Sequence, residues 1–224
     1  MAAPSVQPFE TIARDLRARG WSVLPGFLGQ AEVALLRHRA RQWWQEGEFR
    51  RAGIGRGHDH RLASELRGDL VRWLDLETGG RFRDLHDTWY EPLRLALNQQ
   101  LYLGLFELEA HVAMYPPGAF YVRHLDRFRD DPRRVVTVIL YLNDQWSADD
   151  GGALRMYLPT EGGPDGVHEV LPEAGTLVTF LSGEIWHEVL PTRRERLSLT
   201  GWYGLRRWPS AAADGYSPTY RSSK

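Results

Sequence analysis

From Phe106 to Tyr203 short apolar segments alternate with turn signals, and no other feature of the chain constrains its fold as tightly. The predicted strands are Phe106–Tyr115, Ala119–Asp126, Val135–Leu142, Ala153–Leu158, Glu169–Leu171, Thr176–Leu181, Glu188–Leu190 and Leu197–Tyr203. Between them lie Pro116-Pro117-Gly118, Asp150-Gly151-Gly152, Gly162-Gly163-Pro164 and Glu173-Ala174-Gly175, all rich in residues that reverse a chain. Strands this short and this regularly interrupted predict a double-sheet jelly roll.

The first hundred residues have a different period. Phe9, Ile12, Ala13 and Leu16 fall at helical spacing, and Gly20 ends that run. Trp21–Leu24 then reads as a short strand closed by Pro25-Gly26. A second helix is predicted over Gln30–Glu46, with Val33, Leu36 and Ala40 on one face and Arg37, Arg39 and Arg41 around the other. A third is predicted from Leu85 to Leu101, bent near Pro92. The expected architecture is α+β: a double-stranded β-helix (jelly roll) over 106–205, buttressed by N-terminal helices over 1–105. A tail over 206–224, rich in Ser, Ala and Pro, is expected to be mobile. No repeat or long linker divides the chain, so residues 1–224 are expected to form one domain.

Composition narrows the chemistry. The chain has no cysteine, which excludes disulfides, thiolate metal sites, iron–sulfur clusters and a cysteine nucleophile. Any metal must be held by nitrogen and oxygen. The formal net charge of -1 supplies no field for nucleic acid. Arg127, Arg129, Arg133 and Arg134 are interspersed with Asp126, Asp130 and Asp131, the pattern of a solvated mixed-charge loop. The N-terminus lacks the layout of a signal peptide, and no apolar run reaches membrane-spanning length. A cytoplasmic enzyme without nucleic-acid or membrane partners is the expectation.

The tripeptide His124-Leu125-Asp126 lies in a predicted strand, where residues two apart share a face. Both polar side chains can then point into the barrel while Leu125 faces away. A third ligand must come from a distant strand, and His187, ahead of Glu188-Val189-Leu190, is the best candidate. Two imidazoles and one carboxylate leave three positions of an octahedron open, the ligand set of non-haem iron(II) oxygenases. Arg196 opens the run Arg196-Leu197-Ser198-Leu199-Thr200-Gly201-Trp202, whose alternation places Arg196, Ser198, Thr200 and Trp202 on one face. An arginine on the inner face of a barrel needs an anion. A dicarboxylate cosubstrate gripped bidentately meets that need, and so does a salt bridge to a protein carboxylate.

At these residues the chain resembles the iron(II)- and 2-oxoglutarate-dependent oxygenases, through His124-Leu125-Asp126, His187 and Arg196. A longer set of matches resembles their prolyl hydroxylase branch, typified by the hypoxia-inducible-factor prolyl hydroxylases and their bacterial relatives. It comprises Tyr121 to Asp126, Tyr141-Leu142-Asn143, Gly151 to Arg155, Pro191, and Arg67-Gly68-Asp69 with Trp73. The likeness runs from about Gly20 to Tyr203, and the segments Tyr115 to Tyr121 and Arg123 to Arg134 look most like the bacterial members.

The resemblance implies that His124, Asp126 and His187 bind iron and that Arg196 anchors 2-oxoglutarate. Tyr141 matches a tyrosine that shares the distal carboxylate; a core tyrosine with a local hydrogen bond is the alternative. Tyr115 resembles a tyrosine near the iron, with a spacing to His124 that differs from the human enzymes by one residue. Thr200 and Trp202 match pocket-lining positions, Arg134 matches an arginine at the substrate mouth, and Trp186 stands where the human enzymes have proline. Iron(II), 2-oxoglutarate, dioxygen and ascorbate as reductant are the implied cofactors. The implied reaction is prolyl 4-hydroxylation of a protein or peptide, elongation factor Tu being the target suggested by bacterial relatives. A small molecule such as a free amino acid is the alternative substrate, and a non-catalytic, oxygen-sensing metal module is the alternative class.

Other residues invite chemistry with less support. His58 and His60 sit in a glycine-rich stretch that reads as a loop, and the span from Gly53 to Arg67 is expected to close over a bound peptide. His86 and His168 are expected at the surface and His111 in the core. Trp73 and Trp146 are candidates to line a peptide groove.

Overall fold

The computed structural model describes residues 6–53, 65–75, 81–127, 132–160 and 166–206. His58, His60, Arg129, Asp130, Asp131, the Gly162-Gly163-Pro164 turn and the tail from residue 207 lie outside them.

Helices form where the 3.6-residue spacing requires them. Helix α1 (Val6–Arg19) turns Phe9, Ile12, Ala13 and Leu16 inward, and Gly20 ends it with its N–H bonded to the Leu16 carbonyl at 3.0 Å. Strand β1 (Trp21–Leu24) follows at once. Helix α2 (Gln30–Gln45) buries Val33, Leu36, Ala40 and Trp43. The third helical region begins earlier than expected, as α3 (Arg81–Leu85), and passes through one π-helical turn (His86–Tyr90) into α4 (Glu91–Leu101). Pro92 has no N–H for the carbonyl four residues back, so the regular ladder is interrupted just upstream of it.

Two strands interrupt the helical region and depart from the expectation for it: β2 (Arg50–Arg51) and β3 (Leu70–Trp73). Strand β2 is too short for its alternation to show. The remaining strands are β4 (Glu107–Tyr115), β5 (Tyr121–His124), β6 (Arg134–Tyr141), β7 (Leu154–Leu158), β8 (Gly166–Val170), β9 (Leu177–Leu181), β10 (Trp186–Val189) and β11 (Arg196–Gly204). The strand expected over Ala119–Asp126 is therefore shorter, and Asp126 lies beyond its end. Strand β8 begins three residues before the expected Glu169, and β10 takes in His187 itself.

The strands form two antiparallel sheets, one ordered β1-β9-β6-β11-β4-β3-β2 and the other β5-β10-β7-β8. This is the expected α+β jelly roll. The outer face of the large sheet, with Val112, Met114, Val138, Leu140, Leu197 and Leu199, packs into one apolar cluster with helix residues such as Ile12, Leu36, Leu93 and Leu97. Its inner face faces the small sheet, and there Ile139, Val178 and Phe180 meet Leu154, Met156 and Val189. Gly175 (φ +83°) lets the β8–β9 turn pass under α2: a Cβ there would lie 2.3 Å from the Leu28 carbonyl oxygen.

Candidate functional site

Between the sheets lies a cleft of about 1350 Å³. At one wall β5 and β10 pair with His124 directly across from His187, and their ring centroids are 4.2 Å apart. Each Nδ1 lies beside a backbone carbonyl, that of Val122 at 2.8 Å for His124 and that of Ile185 at 3.0 Å for His187. A carbonyl can only accept, so each Nδ1 carries the proton and each Nε2 presents a lone pair. Both lone pairs face Asp126: its Oδ1 is 3.6 Å from Nε2 of His124 and its Oδ2 is 3.6 Å from Nε2 of His187. One potential ligand atom from each residue lies within 4.8 Å of the others.

The sequence reading placed Asp126 on the same strand face as His124. The cluster forms, but by another route. After His124 the chain leaves β5 and crosses toward the large sheet, where the Arg127 N–H bonds to the Ser182 carbonyl at 3.1 Å. Leu125, expected to face away, lines the cleft. The Thr137 hydroxyl donates to Asp126 Oδ2 at 2.8 Å and lies 2.9 Å from the Ser182 hydroxyl, with both hydroxyl residues fully buried. Burial alone would raise the Asp126 carboxyl, but His187 and His124 outweigh it and hold the group below its ordinary range. Burial, then the neighbouring His124, lowers His187 to about 4 and keeps its imidazole neutral at physiological pH. A neutral His187 imidazole beside an ionised carboxylate suits a cation.

At the opposite end of the cleft stands Arg196, only 2% exposed. It opens β11 across from Tyr115, and its Nε donates to the Gly152 carbonyl at 2.8 Å. Gly152 (φ +65°) makes room for it, since a Cβ there would lie 3.0 Å from the arginine Cδ. Among the described residues no salt bridge joins Arg196 to a carboxylate, so the protein-salt-bridge alternative finds no support. The guanidinium lies about 5 Å from the rings of Tyr115 and Tyr141. The Tyr141 hydroxyl is buried and, among the described residues, makes no hydrogen bond of good geometry, with Arg196 as its charged neighbour. Burial pushes this phenol up to about 12 against the opposing influence of Arg196, and burial likewise raises Tyr115.

The floor joining the two ends comes from alternation. Arg196, Ser198, Thr200 and Trp202 all line the cleft, as their spacing predicts. Trp73, 53% exposed, and Arg134 stand at its mouth, where Arg134 lies 3.7 Å above the Trp202 ring and pairs with Glu109 at 2.9 Å. Trp186 is partly exposed beside His187, with the Arg123 guanidinium 5.4 Å from its ring. Trp146 does not reach the cleft: it is buried elsewhere, with its indole N–H donating to the Gly151 carbonyl. His86 and His168 are half-buried, paired with Asp87 and in tilted ring contact with Trp21 respectively. His111, expected in the core, is buried but lines the cleft between Trp73 and Trp202, and its Nδ1 has no partner. Burial, with Arg67 and Arg134 nearby, lowers it to about 3. Sequence reasoning missed Thr137 and His111 as inward residues, although each shares strand parity with an assigned residue, Tyr141 and Tyr115.

A family model described as the 2OG-Fe(II) oxygenase superfamily matches residues 110–204. Prolyl hydroxylase EGLN3 of Mus musculus is 32% identical over 210 residues, covering 87% of this chain and 82% of that protein. The hypoxia-inducible factor prolyl hydroxylase of Caenorhabditis elegans is 29% identical over 208 residues, but the chain spans only 28% of its length. A prolyl-4-hydroxylase structure from Pseudomonas putida superposes with a TM-score of 0.79 at 46% identity, covering 89% of this chain and all of that one.

Proposed function

For a chain that belongs to the iron(II)- and 2-oxoglutarate-dependent oxygenases, and among them to the prolyl hydroxylase type, we propose hydroxylation at C-4 of a proline residue in a protein substrate. One arrangement carries this reading: a three-ligand cluster shares a single cleft with a buried arginine that has no acidic partner among the described residues. His124, Asp126 and His187 would hold the iron, and their donor set of two imidazoles and a carboxylate fits it. Arg196 and the orphaned Tyr141 hydroxyl fit the distal carboxylate of 2-oxoglutarate, one by charge and the other by a missing acceptor. When bound, the metal would activate dioxygen with 2-oxoglutarate as the two-electron donor, one oxygen atom going into succinate as carbon dioxide leaves and the other into the substrate C–H bond.

The protein's part is binding and orientation. Thr137 holds one carboxylate oxygen of Asp126 and so orients the other. Tyr115, Thr200 and Trp202 would wall the reaction pocket, which the sheets shield from bulk water. Arg134 and Trp73 would meet the substrate at the mouth. The Caenorhabditis elegans relative is named for a protein substrate, the hypoxia-inducible factor. Elongation factor Tu is our proposed target, on the likeness of Tyr115 to Tyr121 and Arg123 to Arg134 to bacterial members.

The test supplies iron(II), ascorbate and 2-oxoglutarate with elongation factor Tu, with bacterial protein extract, or with free proline, and reads products by mass spectrometry. We expect one added oxygen on a proline of elongation factor Tu. Modification of another protein alone would replace the target, and turnover of free proline alone would overturn the protein-substrate reading.

A further inference from the structure

His124 differs from His187 in how its ring is held. The His187 side chain is 4% exposed and enclosed by the barrel, with Phe180 4.6 Å away, whereas the His124 side chain is 16% exposed. The Nδ1 bond to the Val122 carbonyl fixes the tautomer of His124 but leaves the ring free to rock about that bond. Torsions of this sp³–sp² kind are broad. Something else must fix the ring plane.

Tyr121 does so from one side: its ring stacks on that of His124 with centroids 3.6 Å apart and an interplanar angle of 17°. The Arg67 guanidinium carbon lies 4.2 Å from the same Tyr121 centroid. Two flat groups so close to one ring centre cannot share a face, so Tyr121 is sandwiched between Arg67 and His124. Arg67 is itself fixed. Its Nε and Nη2 donate to the two oxygens of Asp69 at 2.7 and 2.6 Å, and its Nη1 donates to the Gly53 carbonyl at 3.3 Å. The Asp69 side chain is fully buried, so the two-point grip sets the guanidinium plane. The backbones are joined as well, by Gly68 N–H to the Phe120 carbonyl and Val122 N–H to the Leu66 carbonyl, both at 2.9 Å.

We propose that Arg67, held by Asp69, is a positioning residue for the metal, pressing Tyr121 against His124 and so fixing the plane in which its Nε2 meets the ion. This rests on the metal-binding reading of the triad and is independent of the substrate. The column Asp69–Arg67–Tyr121–His124 gives the more exposed ligand the rigidity that His187 gains from burial. Lysine cannot replace the arginine in it, because an ammonium has neither the planar fork nor a flat face.

The experiment titrates the metal-free full-length protein with cobalt(II) and follows visible absorption, with no cosubstrate or substrate present. Tyr121→Phe, which keeps the stack, should bind within about twofold of wild type, whereas Tyr121→Leu should bind about tenfold more weakly, as outer-shell losses do. Arg67→Lys keeps a cation for buried Asp69, so it should fold, and should weaken binding by roughly threefold or more, below the full outer-shell loss. The double variant should bind no more weakly than Tyr121→Leu alone, because Arg67 acts through the tyrosine. Thermal melting is measured alongside. Variants that melt lower yet bind cobalt(II) like wild type would overturn the proposal and leave the column a purely structural contact. Additive losses in the double variant would overturn the route through Tyr121. Wild-type protein that binds no cobalt(II) would instead refute the triad reading on which the proposal stands.

Discussion

On the helix side of strand β11, Leu197, Leu199 and Tyr203 are buried in a cluster with Trp89, Leu93 and Leu97. On its other side Arg196, Ser198, Thr200 and Trp202 are equally buried, but they line the cleft. The difference is charge. Among the described residues the buried ionisable side chains of the acidic, basic and histidine types are Asp69, His111, Asp126, His187 and Arg196. The last four of these line the cleft, and Asp69 grips Arg67, which lines it too. Orphaned hydrogen-bonding atoms do not discriminate in this way, since Trp43, Trp89 and Tyr90 carry them on the helix side as His111 and Trp202 do in the cleft and Tyr141 does behind it, beside Arg196. Burying a charge costs far more than burying a neutral dipole. The charged members, Asp126 and Arg196 with the Arg67–Asp69 pair, are gathered around the cleft, and that separates this interior from the supporting one.

The largest break in this contrast is removal of a ligand. Asp126→Ala should lower metal affinity and turnover by more than about 100-fold, beyond the range of outer-shell changes. Metal titration and succinate release check it. On the supporting side, Leu199→Ala should cost about 2–5 kcal/mol of unfolding free energy by denaturant titration, because its side chain is fully buried. Its KM for 2-oxoglutarate should stay near wild type if enough folded protein remains. A smaller effect with the opposite signature is expected of Tyr141→Phe. Its KM for 2-oxoglutarate should rise by roughly tenfold, the worth of one hydrogen bond to a charged group, with little loss of stability, since the hydroxyl makes no well-formed hydrogen bond among the described residues.

The smallest effect concerns pH. His111 and His187 are lowered to about 3 and about 4, so both stay neutral in the fold where the unfolded chain would take protons. Their contribution to stability is full above about pH 6.5 and falls with pH below it, by up to about 1.4 kcal/mol per pH unit for each group. In metal-free protein His111→Phe should flatten the slope of stability between about pH 6.5 and 4 by as much as one proton's worth. An unchanged slope would mean that His111 is protonated in the fold.

Much of the contrast is written in local periodicity. The alternation of Arg196 to Trp202 placed four polar side chains on one face, and that face is the cleft floor. His124 and His187 were legible because each stands in a strand-like run, and register then sets them opposite one another. Asp126 was placed in the cluster for an incomplete reason. Its position is decided by Ser182 and Thr137, contacts that no local pattern contains. Strand β2 escaped notice because two residues cannot display a period. Trp146 was drawn toward the groove by its chemistry alone, whereas the Gly151 carbonyl holds its indole elsewhere. The column behind His124 was invisible as a unit, since Arg67 and Tyr121 are brought together only by a single β-bridge.

The most direct test of the account is the 2-oxoglutarate dependence of succinate formation by iron(II)-loaded wild type and Arg196→Ala. Truncating one partner of a buried charge pair costs about 2–5 kcal/mol, so the variant's KM for 2-oxoglutarate should rise by about 30-fold or more. With the buried cation gone, its thermal stability without cosubstrate should hold. A variant that forms succinate with the wild-type KM would contradict the assignment of Arg196 to the cosubstrate and, with it, the reading of the cleft as one built around a bound dicarboxylate.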